Sequence, residues 1–92
     1  MNKAPDILTD LLPLKHKLFR LALRVTQNRE EAEDVVEDVL VKAWESRATW
    51  DELQSLEAYC LTMCRNLALD RIALHERRNA SLDTSHLQTP DP

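Results

Sequence analysis

Three groupings in this 92-residue chain have residue types and spacing suited to chemistry. Asp34 and Asp38 stand four apart, so a helix would make them paired carboxylates one turn from each other. Cys60 and Cys64 share that spacing, and His75 follows on the same predicted helix. Arg65, Asn66, Asp70 and Arg71 bring together two guanidinium forks, an amide and a carboxylate, a set able to meet phosphate. Each grouping also has a plainer reading. The aspartates lie in a crowd of acids on a face expected to meet solvent, with no pocket implied. A metal centre built from Cys60, Cys64 and His75 would have only three ligands, and buried cysteine is ordinary core material. His16, His75 and His86 are scattered, and no serine or cysteine has a nucleophile's context. The expectation is a protein that is not an enzyme and holds no metal or cofactor.

The elements that must position these groups read as helices. Asn28–Trp44 carries Ala32, Val35, Val36, Val39, Leu40 and Ala43 at three-and-four spacing, one apolar stripe. Asn28 is a good N-cap, and Glu31 stands where it can complete a capping box. Glu30, Glu31, Glu33 and Asp34 suit the positive end of the helix dipole. The opposite face holds Asp34, Glu37, Asp38, Val41 and Glu45. Taken alone, that acidic face is a solvated surface. Ahead of it, Ile7, Leu11, Leu14, Leu18, Leu21, Ala22 and Val25 form a stripe over Asp6–Thr26, with a break or a kink near Pro13 and a restart at Asp10 or Leu11. The short connection Thr26-Gln27-Asn28 implies antiparallel packing.

Ser46–Ser55 is longer than the usual connection and is expected to be a functional loop. Its Trp50 either plugs the end of the bundle or serves a ligand. Ser55 opens a third helix, from Leu56 to Arg77 or Arg78. Cys60, Met63, Cys64, Leu67 and Leu74 make one stripe there and Leu61, Ala68, Leu69 and Ile72 a second on nearly the opposite side, the pattern of a helix packed between neighbours. The chain has no glycine and few aromatics, which argues against tight hairpins and glycine-rich phosphate loops. The fold class is all-α, a compact three-helix bundle. Residues 1–80 make the domain, and the polar, proline-ended residues 81–92 read as a disordered linker or tail.

Charge is unevenly spread. The formal net charge is −4, yet residues 1–28 carry +3, residues 29–57 carry −7 and residues 58–78 carry +2. An acidic middle between basic flanks suggests two partner surfaces, one of them fit for phosphate. Two cysteines too parallel for an easy disulfide suit a reducing compartment, and no apolar run reaches membrane-spanning length. The expected location is the cytoplasm.

A-E-D-V-V-E-D-V-L-V-K-A-W at Ala32–Trp44 closely resembles the signature helix of the second conserved region of bacterial sigma factors, nearest to the extracytoplasmic-function (ECF) type. L-F-R-L-A-L-R-V-T-Q-N at Leu18–Asn28 resembles the family's segment before that helix. Leu56–Arg78, with R-N-x-x-x-D-R at its centre, resembles the helix after it. The three motifs stand in the family's order and cover nearly all of Leu11–Arg78.

The resemblance implies a sigma region 2-like fold, with roles carried over position by position. Asp34, Glu37, Asp38, Val41 and Lys42 would dock on the β′ clamp helices of core RNA polymerase, with charge supplying orientation and steering. The loop residues Thr49, Trp50, Asp51, Gln54 and Ser55, with Tyr59 behind them, would capture a base flipped from the non-template strand of the promoter −10 element. Arg65, Asn66, Arg71, Arg77 and Arg78 would line that single strand and its phosphates. Glu37 stands where the family usually has glutamine, Asp38 where it has a longer glutamate, and Tyr59 where it has tryptophan. The loop lacks the family's glycine, and Glu76 interrupts the basic end. Sigma factors also carry a helix-turn-helix domain for the −35 element, and no such pattern follows Arg78. A fragment ending in the linker is the favoured expectation, and a natural single-domain variant the other. The competing function is a helical protein-interaction module, with an anti-sigma factor as partner and no promoter recognition.

Overall fold

Asp6 opens the first turn among the described residues by bonding in both directions. Its Oδ1 accepts from the Leu8 N–H at 2.9 Å, and its own N–H donates to Asp10 Oδ2 at 2.9 Å. The computed structural model describes the backbone of residues 5–86 and the side chains of residues 5–78. Ile7–Leu11 is a single wide π-helical turn and Leu12–Leu14 a tight 3-10 turn. Regular helix α1 begins only at Lys15 and runs Lys15–Thr26. The expected break near Pro13 is therefore real, but the helix restarts later than Asp10 or Leu11. Pro13 has no N–H to give to the preceding turn, so the ladder cannot close across it.

Helix α2 spans Arg29–Glu45. Between α1 and α2 the chain turns at Gln27, which takes the left-handed conformation (φ 55°, ψ 30°) with its N–H on the Leu23 carbonyl at 2.7 Å. Glycine is the usual occupant of this position, because a Cβ there costs about 1 kcal/mol. Asn28 caps α2 as expected, its Oδ1 accepting from the Glu31 N–H at 3.0 Å. A 3-10 helix, Arg47–Glu52, fills most of the connection to the third helix. Helix α3 runs Leu56–His86, past the end expected at Arg77 or Arg78 and into part of the segment that composition marks as a tail. Residues 87–92 of that tail lie outside the described residues.

Each of the three α-helices packs against the other two. The core is built from Leu11, Leu18 and Ala22, from Ala32, Val35, Val36, Val39 and Ala43 of α2, and from Cys60, Cys64 and Ala68 of α3. Full burial of each larger side chain contributes about 1.5–3 kcal/mol, and the small residues let the helices approach closely. The two apolar stripes of α3 do not lie on opposite sides. Cys60, Cys64 and Ala68 point inward, Leu61, Met63 and Leu67 flank them half-buried, and Leu69 and Leu74 are exposed. A helix seated in the groove between two others buries one broad arc, so both neighbours lie on the same side. Both cysteines are free and buried, and the Cys64 thiol donates to the Leu18 carbonyl at 3.3 Å. No helix among the described residues is long and apolar enough to cross a membrane.

Candidate functional site

Helix α2 divides cleanly between core and surface. Its inner side is fully buried, and Asp34, Glu37, Asp38, Val41 and Lys42 are all exposed on the outer side. Val41 is 55% exposed, a branched apolar side chain in the middle of a charged face. Three of these five carry negative charge, and the structure gives them unequal surroundings.

Arg71 of α3 reaches across to α2. Its guanidinium donates to Glu31 Oε1 at 2.8 Å and lies 3.6 Å from Asp34 Oδ2 and 3.5 Å from Asp38 Oδ2. The other Glu31 oxygen meets His75 Nε2 at 2.8 Å. The expected capping box is therefore half made. Asn28 caps the Glu31 N–H, but the Glu31 carboxylate turns to α3, and the Asn28 N–H goes to the Thr26 hydroxyl at 3.4 Å. The Arg71 guanidinium, a charged donor, and the His75 imidazole, both from a neighbouring helix, outcompete a neutral backbone N–H for the carboxylate. Hydrogen bonds from His75 first and Arg71 second hold the Glu31 carboxyl below the usual carboxylate range. The Glu31 hydrogen bond raises Arg71 in turn, against a smaller opposing effect of burial.

Arg71 faces inward because of its position in the helix. It lies seven residues after Cys64 and three after Ala68, so at 100° per residue it continues the buried stripe of α3. Glu31 lies four before Val35, on the matching stripe of α2. Each core stripe thus ends in a charge, and the two charges meet. The same arithmetic splits the R-N-x-x-x-D-R motif. Arg65, Asn66 and Asp70 are exposed, while Arg71 is half-buried against α2. Arg77 and Arg78 are exposed further along α3. Among the described residues, Arg65, Arg77 and Arg78 make no ion pair with a side chain.

The connection Ser46–Ser55 is ordered by its own polar groups. The Ala43 carbonyl, in the last turn of α2, takes the Ser46 N–H at 3.2 Å and also receives the Trp50 indole N–H at 3.0 Å and the Ser46 hydroxyl at 3.1 Å. The Ser46 and Tyr59 hydroxyls pair at 3.2 Å. Trp50 meets Trp44 edge to face, with ring centroids 6.0 Å apart, and the Arg47 guanidinium stacks 4.4 Å from the Trp44 ring. Trp50 packs half-buried against the core, which is the plug reading of that residue. Thr49 donates its hydroxyl to the Ser46 carbonyl at 2.8 Å, and Ser55 caps α3 by accepting from the Ala58 N–H at 3.1 Å. Asp51 and Gln54 are exposed beside them. The connection is a short helical shelf with an aromatic edge.

Glu31 and His75 belong to the charged cluster, and composition alone does not single them out. The available signal was the continuation of each core stripe by one more turn, to Glu31 on α2 and to Arg71 and His75 on α3. His75 meets Glu31 at the α2–α3 contact, while the Cys64 thiol meets the Leu18 carbonyl in the core.

The family model described as sigma-70 region 2 matches residues 13–78. The chain is 33% identical over 75 residues to the ECF RNA polymerase sigma factor SigL of Mycobacterium tuberculosis, in both the Erdman and the H37Rv strains. That match covers 80% of this chain and 42% of the relative, so the chain spans about two fifths of the length of the curated relatives it matches. No solved structure matches it.

Proposed function

The chain belongs to the sigma-70 region 2 family, and from that footing we propose that it is the part of an ECF-type sigma factor that joins core RNA polymerase to promoter DNA in transcription initiation. The outer face of α2 is the polymerase contact. Asp34, Glu37, Asp38, Val41 and Lys42 stand on a helix whose opposite side is wholly buried, and this observation carries the reading. A helix anchored in this way presents its charges without reorganising when a partner arrives, which limits the ordering cost of binding. The partner surface is the basic β′ clamp helices, and Val41 supplies an apolar contact among the ion pairs. Such a partner places the protein in the cytoplasm.

Promoter DNA takes the other side. The shelf bearing Thr49, Trp50 and Asp51, with Gln54, Ser55 and Tyr59 beside it, is the site for a base extruded from the non-template strand of the −10 element. Arg65, Asn66, Arg77 and Arg78 contact its phosphates and sugar edges. Extrusion costs a few kcal/mol, and stacking on an aromatic edge with arginine–phosphate contacts can offset it. The chain performs no reaction itself in this scheme, since the polymerase makes the bonds.

The test has two arms. The purified domain should bind a β′ clamp-helix fragment, and it should shift a single-stranded −10-like oligonucleotide more strongly than a scrambled strand. Failure of both arms refutes the proposal. A second reading, an interaction module that binds an anti-sigma factor without promoter recognition, draws on one observation: Arg71 is spent on α2 rather than offered to a strand. Clamp binding with no strand preference would favour it.

A further inference from the structure

The Arg71 cluster has an asymmetry that bears on the docking face. Arg71 and Glu31 are 2.8 Å apart with side chains 29% and 22% exposed, and His75 braces the second Glu31 oxygen. The contacts from Arg71 to Asp34 and Asp38 are longer, 3.6 and 3.5 Å, and those carboxylates are 63% and 51% exposed. The guanidinium is thus anchored at Glu31 and leans on the other two. Long, exposed ion pairs are weak and exchange readily. Asp34 and Asp38 are also two of the three acids on the docking face, and the third, Glu37, lies beyond the reach of this network. One fixed positive charge therefore stands at the edge of the surface that is to attract a basic partner.

We propose that Arg71 is a built-in competitor for the docking face: held by Glu31, it neutralises Asp34 and Asp38 from within and sets how strongly a basic helical partner is bound. This rests on the reading of α2 as the polymerase contact. A basic partner side chain must share or replace Arg71 at both aspartates, and until it does the guanidinium repels it. Glu31 decides how much of the Arg71 charge reaches the aspartates. With Glu31 ionised, Arg71 is drawn toward the start of α2. Without that anchor, it pairs wholly with Asp34 and Asp38.

The two halves of the anchoring pair can therefore be separated by sign. Arg71→Gln should tighten binding of a β′ clamp-helix fragment by about five-fold at about 0.1 M salt, with the gain shrinking toward 0.5 M as screening grows. Glu31→Gln should weaken the same binding, and Arg71→Lys, which keeps the charge, should stay near wild type. Both glutamine variants lose the same 2.8 Å contact, so a merely structural role would move them in the same direction. Glu37→Lys serves as the reference, because it lies on the face but outside the cluster. If Glu37→Lys weakens binding while Arg71→Gln and Glu31→Gln shift together, or not at all, the competitor role is overturned and the docking face stands. If Glu37→Lys has no effect, the docking face itself is wrong.

Discussion

Glu37→Lys is the cleanest probe of the α2 face, and its size can be worked from the surroundings of the residue. Glu37 is exposed and makes no ion pair among the described residues, in contrast to Asp34 and Asp38, which lean on Arg71. Its replacement therefore costs the fold almost nothing, within about 0.5 kcal/mol for a surface site of this kind. Melting temperature should move by no more than about 3 °C. Binding is another matter. A carboxylate about 4 Å from a cation is worth about 1 kcal/mol in bulk water and about 4 kcal/mol at the effective dielectric of a protein surface. Charge reversal replaces that attraction by repulsion, while the loss of side-chain freedom on pairing takes back part of the difference. A net loss of about 2 kcal/mol, or roughly thirty-fold in affinity, is expected for one such contact. Fluorescence anisotropy with a labelled β′ clamp-helix fragment would measure it, at about 0.1 M salt and again at about 0.5 M, where the loss should shrink because the term is electrostatic. A variant with wild-type circular dichroism and unchanged affinity at low salt would refute the assignment of this face. The same reversal at Asp38 is less informative, because it places a lysine against Arg71 and mixes stability with binding.

Glu31→Gln should destabilise the domain in a pH-dependent way. The folded carboxyl lies below its ordinary value of 4.5, so its contribution is present above that value and is lost as pH falls through the lower folded one. Urea midpoints of variant and wild type should differ near pH 7 and converge as the pH falls below 4.5, and a gap of constant size would contradict the Glu31–Arg71–His75 account. Gln27→Gly should raise the melting temperature by about 4 °C, since the left-handed backbone at φ 55° suits glycine, although a more flexible unfolded chain offsets part of the gain. A lower melting temperature would mean that the Gln27 side chain contributes more than its backbone strain costs. The cysteines should resist alkylation in the native protein at about pH 8 and react fully on unfolding, because burial first, then the neighbouring Cys64, pushes the Cys60 thiol up to about 11. Rapid native labelling would mean that α3 does not seat as described.

Features that depend on neighbours within about one helical turn are legible along the chain. The three helices follow from apolar residues at three-and-four spacing, the start of α2 from Asn28, the break before α1 from Pro13, and the start of α3 from Ser55. The acidic outer face of α2 is equally legible, because burying one stripe dictates which residues face outward. The three motifs in order also carried the family. Tertiary structure decided where charges separated along the chain come together. Glu31 could close a capping box with Asn28 or pair with Arg71, forty positions away, and no local pattern ranks a partner brought up by another helix. The R-N-x-x-x-D-R motif reads as one unit along the chain, yet helical rotation sends Arg65 and Asn66 outward and Arg71 in toward α2. Ser46–Ser55 reads as an open loop, and only the docking of Trp50 onto the last turn of α2 makes it a shelf. In each case the deciding term is the distance between side chains on different helices, and that distance exists only once the core has closed.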